Sequence, residues 1–232
     1  MKEIEIELLQ PWSTFVMKTK LPPEILQKML KITDEIIANT ESMKVGESGG
    51  GQQFEDEFLI EYEILEREEL MDFFMDVTQQ FVIQQLLQMH PFEKQRKEIL
   101  NEKWYTKMTS LWIVSMKDNE YQPMHDHINC SISAVTYLKI PEYLPSKNPD
   151  QNDDGAICFL NNVSRDFTWP QDRYMKLHPV LGDFYIFPSS ILHQVYPFRT
   201  PDGKGERRSV SFNAQFTSKT QQDTLKKQRE AI

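Results

Sequence analysis

Cysteine is almost missing from this 232-residue chain, with Cys130 and Cys158 as its two examples. So sparse a pair, both in predicted strands, builds no disulfide framework, and a reducing cytoplasm is the expected compartment. Basic charge is also in short supply: 26 Lys and Arg stand against 35 Asp and Glu, for a formal net charge of -9. Without a basic stripe there is little counterion release to gain on a phosphate backbone, which excludes bulk nucleic-acid binding and leaves a nucleobase open as a substrate. Glycine occurs eight times, and Gly49-Gly50-Gly51 is too short for an interdomain linker and lacks the lysine of a phosphate loop. No repeat or Gly/Ser-rich stretch divides the chain. Long apolar runs are absent as well, and the opening MKEIEIELLQPW alternates acidic and apolar residues where a secretory signal would be basic and then continuously apolar. The expectation is one soluble domain over residues 1–232 with no membrane partner; its oligomeric state is left open.

What is present falls into two halves. Ile4 to Leu9 alternates as a half-buried strand does, and Thr14 to Lys18 reads as a second extended piece. Pro22-Pro23 opens a helix predicted over Pro23 to Asn39, whose apolar residues share one stripe. Glu41 to Asp56 reads as a surface loop and Phe58 to Ile64 as strand-like. Glu66 to Met89 reads as one long helix with a core-facing stripe of Leu70, Phe74, Val77 and Phe81, stopped at His90-Pro91. Glu93 to Trp104 suits a short helix. From there the composition turns β-rich: Met108 to Lys117, Ser131 to Ile140, Ala156 to Leu160, Phe184 to Pro188, His193 to Tyr196 and Ser209 to Phe216 are predicted strands separated by turn signals. Short strands with no interleaved helices mean antiparallel sheets, in a sandwich or barrel. Residues 1–105 thus supply N-terminal strands and bracing helices, 106–216 the β core, and 217–232 a polar tail or exposed helix.

The chemistry gathers at QPMHDHINCSISAVTYL and GDFYIFPSSILHQV. His125 and His127 stand two apart in an extended segment, so both imidazoles can share a face, and His193 can close a metal site on them. Arg207, Ser209, Ser211 and Asn213 alternate along a further strand and should also share a face. Three imidazoles and a guanidinium in one barrel mouth need partners, and a metal with an anionic ligand supplies them. His90 and His178 lie beside prolines at turns and are set aside. Asp150, Asp153 and Asp154 read as a solvated loop, and Trp112, Trp169 and Phe198 as core or rim.

The succession HDHINCSISAVTYL, GAICFL, GDFYIFPSSILHQVYP and ERRSVSFN resembles the core of the 2-oxoglutarate- and Fe(II)-dependent oxygenases, over roughly Thr106 to Phe216. It is similar to a bacterial and phage-type subgroup whose motif also reads H-x-H. The resemblance implies a mainly β fold with flanking helices, a double-stranded β-helix of the jelly-roll or cupin-like kind. It implies Fe(II) and 2-oxoglutarate as cofactors, O₂ as co-reactant, and hydroxylation of an unidentified small molecule, protein side chain or nucleobase with release of succinate and CO₂. His125 and His193 match the first and last metal ligands, Arg207 with Ser209 matches the pair that binds the distal carboxylate, and Tyr137 resembles a further hydrogen-bond donor to the cosubstrate. A one-residue slip would put Arg208 in place of Arg207. The common triad has a carboxylate where this chain has His127, so either His127 is the third ligand or a bulge turns Asp126 inward as a substitute. Two other readings stay open: a three-histidine cupin-type metalloenzyme without 2-oxoglutarate, and a non-catalytic jelly-roll binding module.

Overall fold

Val, Ile, Phe and Tyr alternate with small polar residues through the second half of the chain, and these segments pair into two antiparallel sheets. The computed structural model describes residues 14–39, 43–44, 56–90, 92–146, 148, 152–160 and 174–230. The larger sheet runs in the order β1 (Met17–Lys20), β9 (Asp183–Pro188), β6 (Ile132–Lys139), β11 (Arg207–Ser218), β4 (Trp104–Met116), β3 (Asp56–Leu59) and β2 (Met43–Lys44). The smaller is β5 (Gln122–His125), β10 (His193–Val195), β7 (Ile157–Leu160) and β8 (Tyr174–Leu177). Together they form the double-stranded β-helix.

The two-residue period of the strands divides the interior into two cores. On β11, Ser209 and Ser211 lie beside Val114 and Trp112 of β4 and beside Tyr137 and Val135 of β6. This face looks toward the smaller sheet and shares its cluster with Tyr185, Phe187, Phe159 and Val195. The intervening residues Val210, Phe212 and Ala214 face the other way, under α1 (Pro23–Asn39) and α3 (Met71–Met89). There Phe74 meets Phe184 and Phe212 edge-on, at centroid distances of 5.7 and 5.8 Å. The helices therefore brace the back of the larger sheet and leave its front for the site.

Helix α1 spans the expected residues. The single helix expected from Glu66 to Met89 is instead α2 (Tyr62–Arg67) followed by α3. Between them Glu69 takes a left-handed φ of 59°, the N–H of Leu70 donates to Leu65 O (2.8 Å) and that of Glu69 to Glu66 O (3.1 Å). This pair of bonds ends a helix by capping its last carbonyls, and it turns Leu70 into the core, where it is 1% exposed. The strand expected over Phe58 to Ile64 stops at Leu59 because α2 begins at Tyr62 and buries Leu65. Strand β8 was not anticipated: YMKL is short and carries a lysine. Residues 219–230 form α5 (Lys219–Glu230), a solvent-exposed helix, and α4 spans Glu93–Asn101. The strand expected at Ile4 to Leu9, most of the loop expected from Glu41 to Asp56, Asp150 and Trp169 lie outside the described residues. Among the described residues no helix is long and apolar enough to cross a membrane.

Candidate metal and anion centre

Strands β5 and β10 pair with His193 opposite His125, so their rings stand 4.2 Å apart between centroids. Strand β5 ends at His125, and His127 reaches the same place by a different route from the strand alternation expected of it. Its N–H donates to Ser189 O (3.0 Å), the chain turns just beyond it at Asn129, with φ at 61°, and the His127 ring stands 5.1 Å from His125 and 5.2 Å from His193. One nitrogen from each of the three lies within 4.8 Å of the others. Asp126 is exposed and outside this cluster, so no bulge turns it inward. His90 and His178 also lie apart from it.

Two of the rings have their tautomer set by their own backbone. Nδ1–H of His125 donates to Pro123 O (2.8 Å) and Nδ1–H of His193 to Ile191 O (2.9 Å), since a carbonyl can only accept. Each therefore presents an unprotonated Nε2. Nε2 of His127 lies 3.4 Å from Nε2 of His193, and its Nδ1 lies 3.5 Å from the side-chain amide of Asn213. Burial, reinforced by the neighbouring His125 ring, pushes His127 down to about 4 and His193 down to about 3. Burial also lowers His125. All three are neutral near pH 7, the state that binds metal.

A single cavity runs from these rings to Arg207, past Ser133, Ser209, Ser211 and Tyr137. The Arg207 side chain is 1% exposed; its guanidinium lies over the Tyr137 ring at 4.8 Å and points Nη1 at Met116 Sδ, 3.3 Å away. Its Nε and Nη2 have no partner, nor do the buried hydroxyls of Tyr137 and Tyr143. Burial pushes the Tyr137 phenol up to about 12 against the opposing pull of Arg207, so it remains a protonated donor. Arg208 faces the back of the sheet, donating Nε–H to Glu206 (2.7 Å) and Nη1–H to Asp34 (2.6 Å) and Thr33 (3.1 Å). The register thus brings Arg207, not Arg208, into the cavity with Ser209 and Tyr137.

Three nearby residues had no role in the sequence reading. Strand alternation puts Asn213 on this face but gives it no partner, Trp112 reads as core or rim yet lies 5.8 Å from the His127 ring, and nothing in the sequence marks Tyr143. Strand alternation was the available signal for the first two. For Tyr143, in a proline-flanked loop, no local pattern announces a buried hydroxyl. Of the acidic run, Asp153 pairs with Lys176 (2.7 Å) and Asp154 with Arg199 (3.7 Å).

Residues 110–213 match the model of a family described as "Putative 2OG-Fe(II) oxygenase". No curated protein matches the chain. Among solved structures, a prolyl-4-hydroxylase of Pseudomonas putida is similar at 15% identity, over 86% of this chain and 92% of that one, with a TM-score of 0.52. A prolyl hydroxylase in complex with a hypoxia inducible factor peptide fragment, from Trichoplax adhaerens, is 10% identical over 87% and 82%, at 0.53. SnoN, an α-ketoglutarate-dependent epimerase of nogalamycin biosynthesis, is 11% identical over 86% and 78%, at 0.52. At these identities the likeness carries the fold. The donor set fits the family's cofactors: three neutral imidazoles suit a divalent first-row metal, and two unsatisfied N–H groups on a buried guanidinium suit a carboxylate. Over residues 110–213, a little under half of its length, the chain is thus similar to the 2-oxoglutarate- and Fe(II)-dependent oxygenases.

Proposed function

We propose that the protein is a dioxygenase that hydroxylates an organic substrate, consuming O₂ and 2-oxoglutarate and releasing succinate and CO₂. His125, His127 and His193 would hold Fe(II) through Nε2, and Arg207 with Ser209 and Tyr137 would hold the distal carboxylate of 2-oxoglutarate. The observation that carries this reading is Arg207: a buried guanidinium with Nε and Nη2 unpartnered, in the same cavity as three convergent imidazoles. Leaving such a charge without a counter-ion costs several kcal/mol, on the order expected for an uncompensated buried ion, and a dianionic ligand removes that cost. When bound, the metal and cosubstrate supply the chemistry that gives one oxygen atom of O₂ to succinate and the other to a substrate C–H bond.

The chain's own residues bind, orient and exclude. The planar fork of Arg207 accepts a carboxylate bidentately, and the Tyr137 ring stacked on it fixes the plane of that fork. Phe187 packs edge-on to His193 at 4.9 Å and, with Val135, Ile157 and Val195, keeps the cavity wall dry. Having His127 in place of a carboxylate leaves the metal one unit more positive, which favours a dianionic cosubstrate.

The test needs no substrate. Metal-free protein is titrated anaerobically with Fe(II) and then with 2-oxoglutarate while the visible charge-transfer band of the chelate is followed. We expect a band that appears only with 2-oxoglutarate and that needs at least roughly tenfold more of it in Arg207→Ala, the loss of one charge-assisted contact. Bound iron with no band would sink the cosubstrate and favour a three-histidine cupin-type enzyme. Failure to hold any metal would favour a binding module.

A further inference from the structure

Tyr143 lies in the segment that leaves β6, and its side chain is pinned from several directions. The N–H of Leu144 donates to Arg199 O (2.8 Å), and the Tyr143 ring packs on Phe198 with centroids 5.3 Å apart. Gly155, just before β7, presses against that ring: a Cβ at Gly155 would stand 2.3 Å from the Tyr143 hydroxyl oxygen and 2.5 Å from Cζ. Gly155 also has a φ of +68°, so glycine is required there twice over, for its backbone and for the ring beside it. The phenol is thus held against bare backbone, in the cluster between the two sheets.

The purpose of so close a fit lies at the hydroxyl. It is buried and has no partner, as are Tyr137 Oη and Arg207 Nε and Nη2. Burial pushes the Tyr143 phenol up and prevails over the opposing pull of Arg207, so the group is a neutral donor. Polar groups this deep are nearly always satisfied, and here Arg207 and the two phenols it influences all carry buried atoms without a hydrogen bond. The Asp154 carboxylate, with a buried and unpartnered Oδ2, is the competing acceptor, although it already faces Arg199.

We propose that Tyr143, seated by Gly155 behind Arg207, reads the second carboxylate of the 2-oxo acid, selecting a diacid over an acid of equal length ending in a methyl group. This rests on the cosubstrate reading above and adds to it the residue that sets selectivity. Arg207 supplies the charge, Tyr137 one neutral donor and Tyr143 another. Two neutral donors and one cation leave a carboxylate fully satisfied, whereas a terminal methyl would leave all three bare.

The test compares 2-oxoglutarate with 2-oxopentanoate in the anaerobic Fe(II) protein, reading the half-saturating concentration from the charge-transfer band. In Tyr143→Phe the affinity for 2-oxoglutarate should fall roughly tenfold or more, as for a lost hydrogen bond to a charged group, while that for 2-oxopentanoate stays as in wild type. Gly155→Ala, which must displace the ring, should reproduce that pattern, with thermal midpoints confirming that both variants fold. Unchanged 2-oxoglutarate affinity in Tyr143→Phe would assign the hydroxyl to Asp154 and overturn the inference. Equal losses for both acids would make Tyr143 a packing residue and overturn it too. A wild-type protein with no band for either acid removes the cosubstrate reading and this inference together, whereas a normal wild-type band isolates a failure at Tyr143.

Discussion

Asn213 does for His127 what the backbone does for the other two histidines. His125 and His193 are each aimed by a carbonyl two residues earlier in their own chain, but His127 sits in a turn with no such acceptor. The Asn213 side chain lies 3.5 Å from His127 Nδ1 while its Oδ1 has no partner. Rotated by half a turn, the amide would put Oδ1 on Nδ1–H, satisfying the buried oxygen and leaving Nε2 of His127 directed at its companions. Asn213→Leu should therefore weaken binding of a divalent metal by roughly 10–100-fold, the usual cost of losing a group that orients a ligand. Competition against a chelator measures it, and undiminished affinity in the folded variant would show that Asn213 does not orient the ring. The grouping of His125, His127 and His193 and the alternation of Arg207 with Ser209 are legible in the sequence because spacing is a local property, while Tyr137 is legible only through the resemblance of its motif. The partners of Asn213 and the meeting of Tyr143 with Gly155 depend on how distant segments pack, which no spacing encodes.

Strand β11 shows how one element serves two chemistries. Neighbouring arginines leave it on opposite faces, one into the cavity and one into the helix-covered side. Arg208 is 3% exposed and ties α1 to the sheet through Thr33 and Asp34 while also bonding Glu206, itself reached by Ser115 and Lys139. Lys139, then Arg208, holds the Asp34 carboxyl below its usual range, and Glu206 stays below its own despite burial. Arg208→Leu should lower stability by about 1–3 kcal/mol, less than for a fully enclosed ion pair because Asp34 is half exposed. Its folded fraction should keep wild-type 2-oxoglutarate binding, unlike Arg207→Ala. Denaturant unfolding alongside the charge-transfer titration separates the two, and lost binding in folded Arg208→Leu would reverse the assignment of the arginines. Periodicity made this element legible along its length. The break between α2 and α3 was not legible, because it depends on Glu69 accepting a left-handed turn so that Leu70 can enter the core.

For the whole molecule, the histidine cluster sets how stability responds to acid. His127 and His193 are held down to about 4 and about 3, whereas in the unfolded chain each would titrate near the ordinary value of 6.5. Between those limits the unfolded state carries more protons than the folded one, so stability of the metal-free protein falls as pH falls below about 6.5. Each proton changes stability by about 1.4 kcal/mol per pH unit, so at pH 5 the two rings together remove on the order of 4 kcal/mol. Against a total of about 5–15 kcal/mol for a typical domain this is a large share. A divalent metal bound only by the folded state adds stability by mass action, about 2.7 kcal/mol at a hundredfold excess over its dissociation constant. Because the folded imidazoles resist protonation, that gain should persist from pH 8 to about 5, below the point where an ordinary histidine site releases its metal. Thermal midpoints with and without Zn²⁺ across this range test the argument. A metal-free midpoint indifferent to pH between 7 and 5 would mean the three rings are not kept neutral by burial. A metal-induced gain that vanishes near pH 6.5 would mean that they titrate as exposed histidines do.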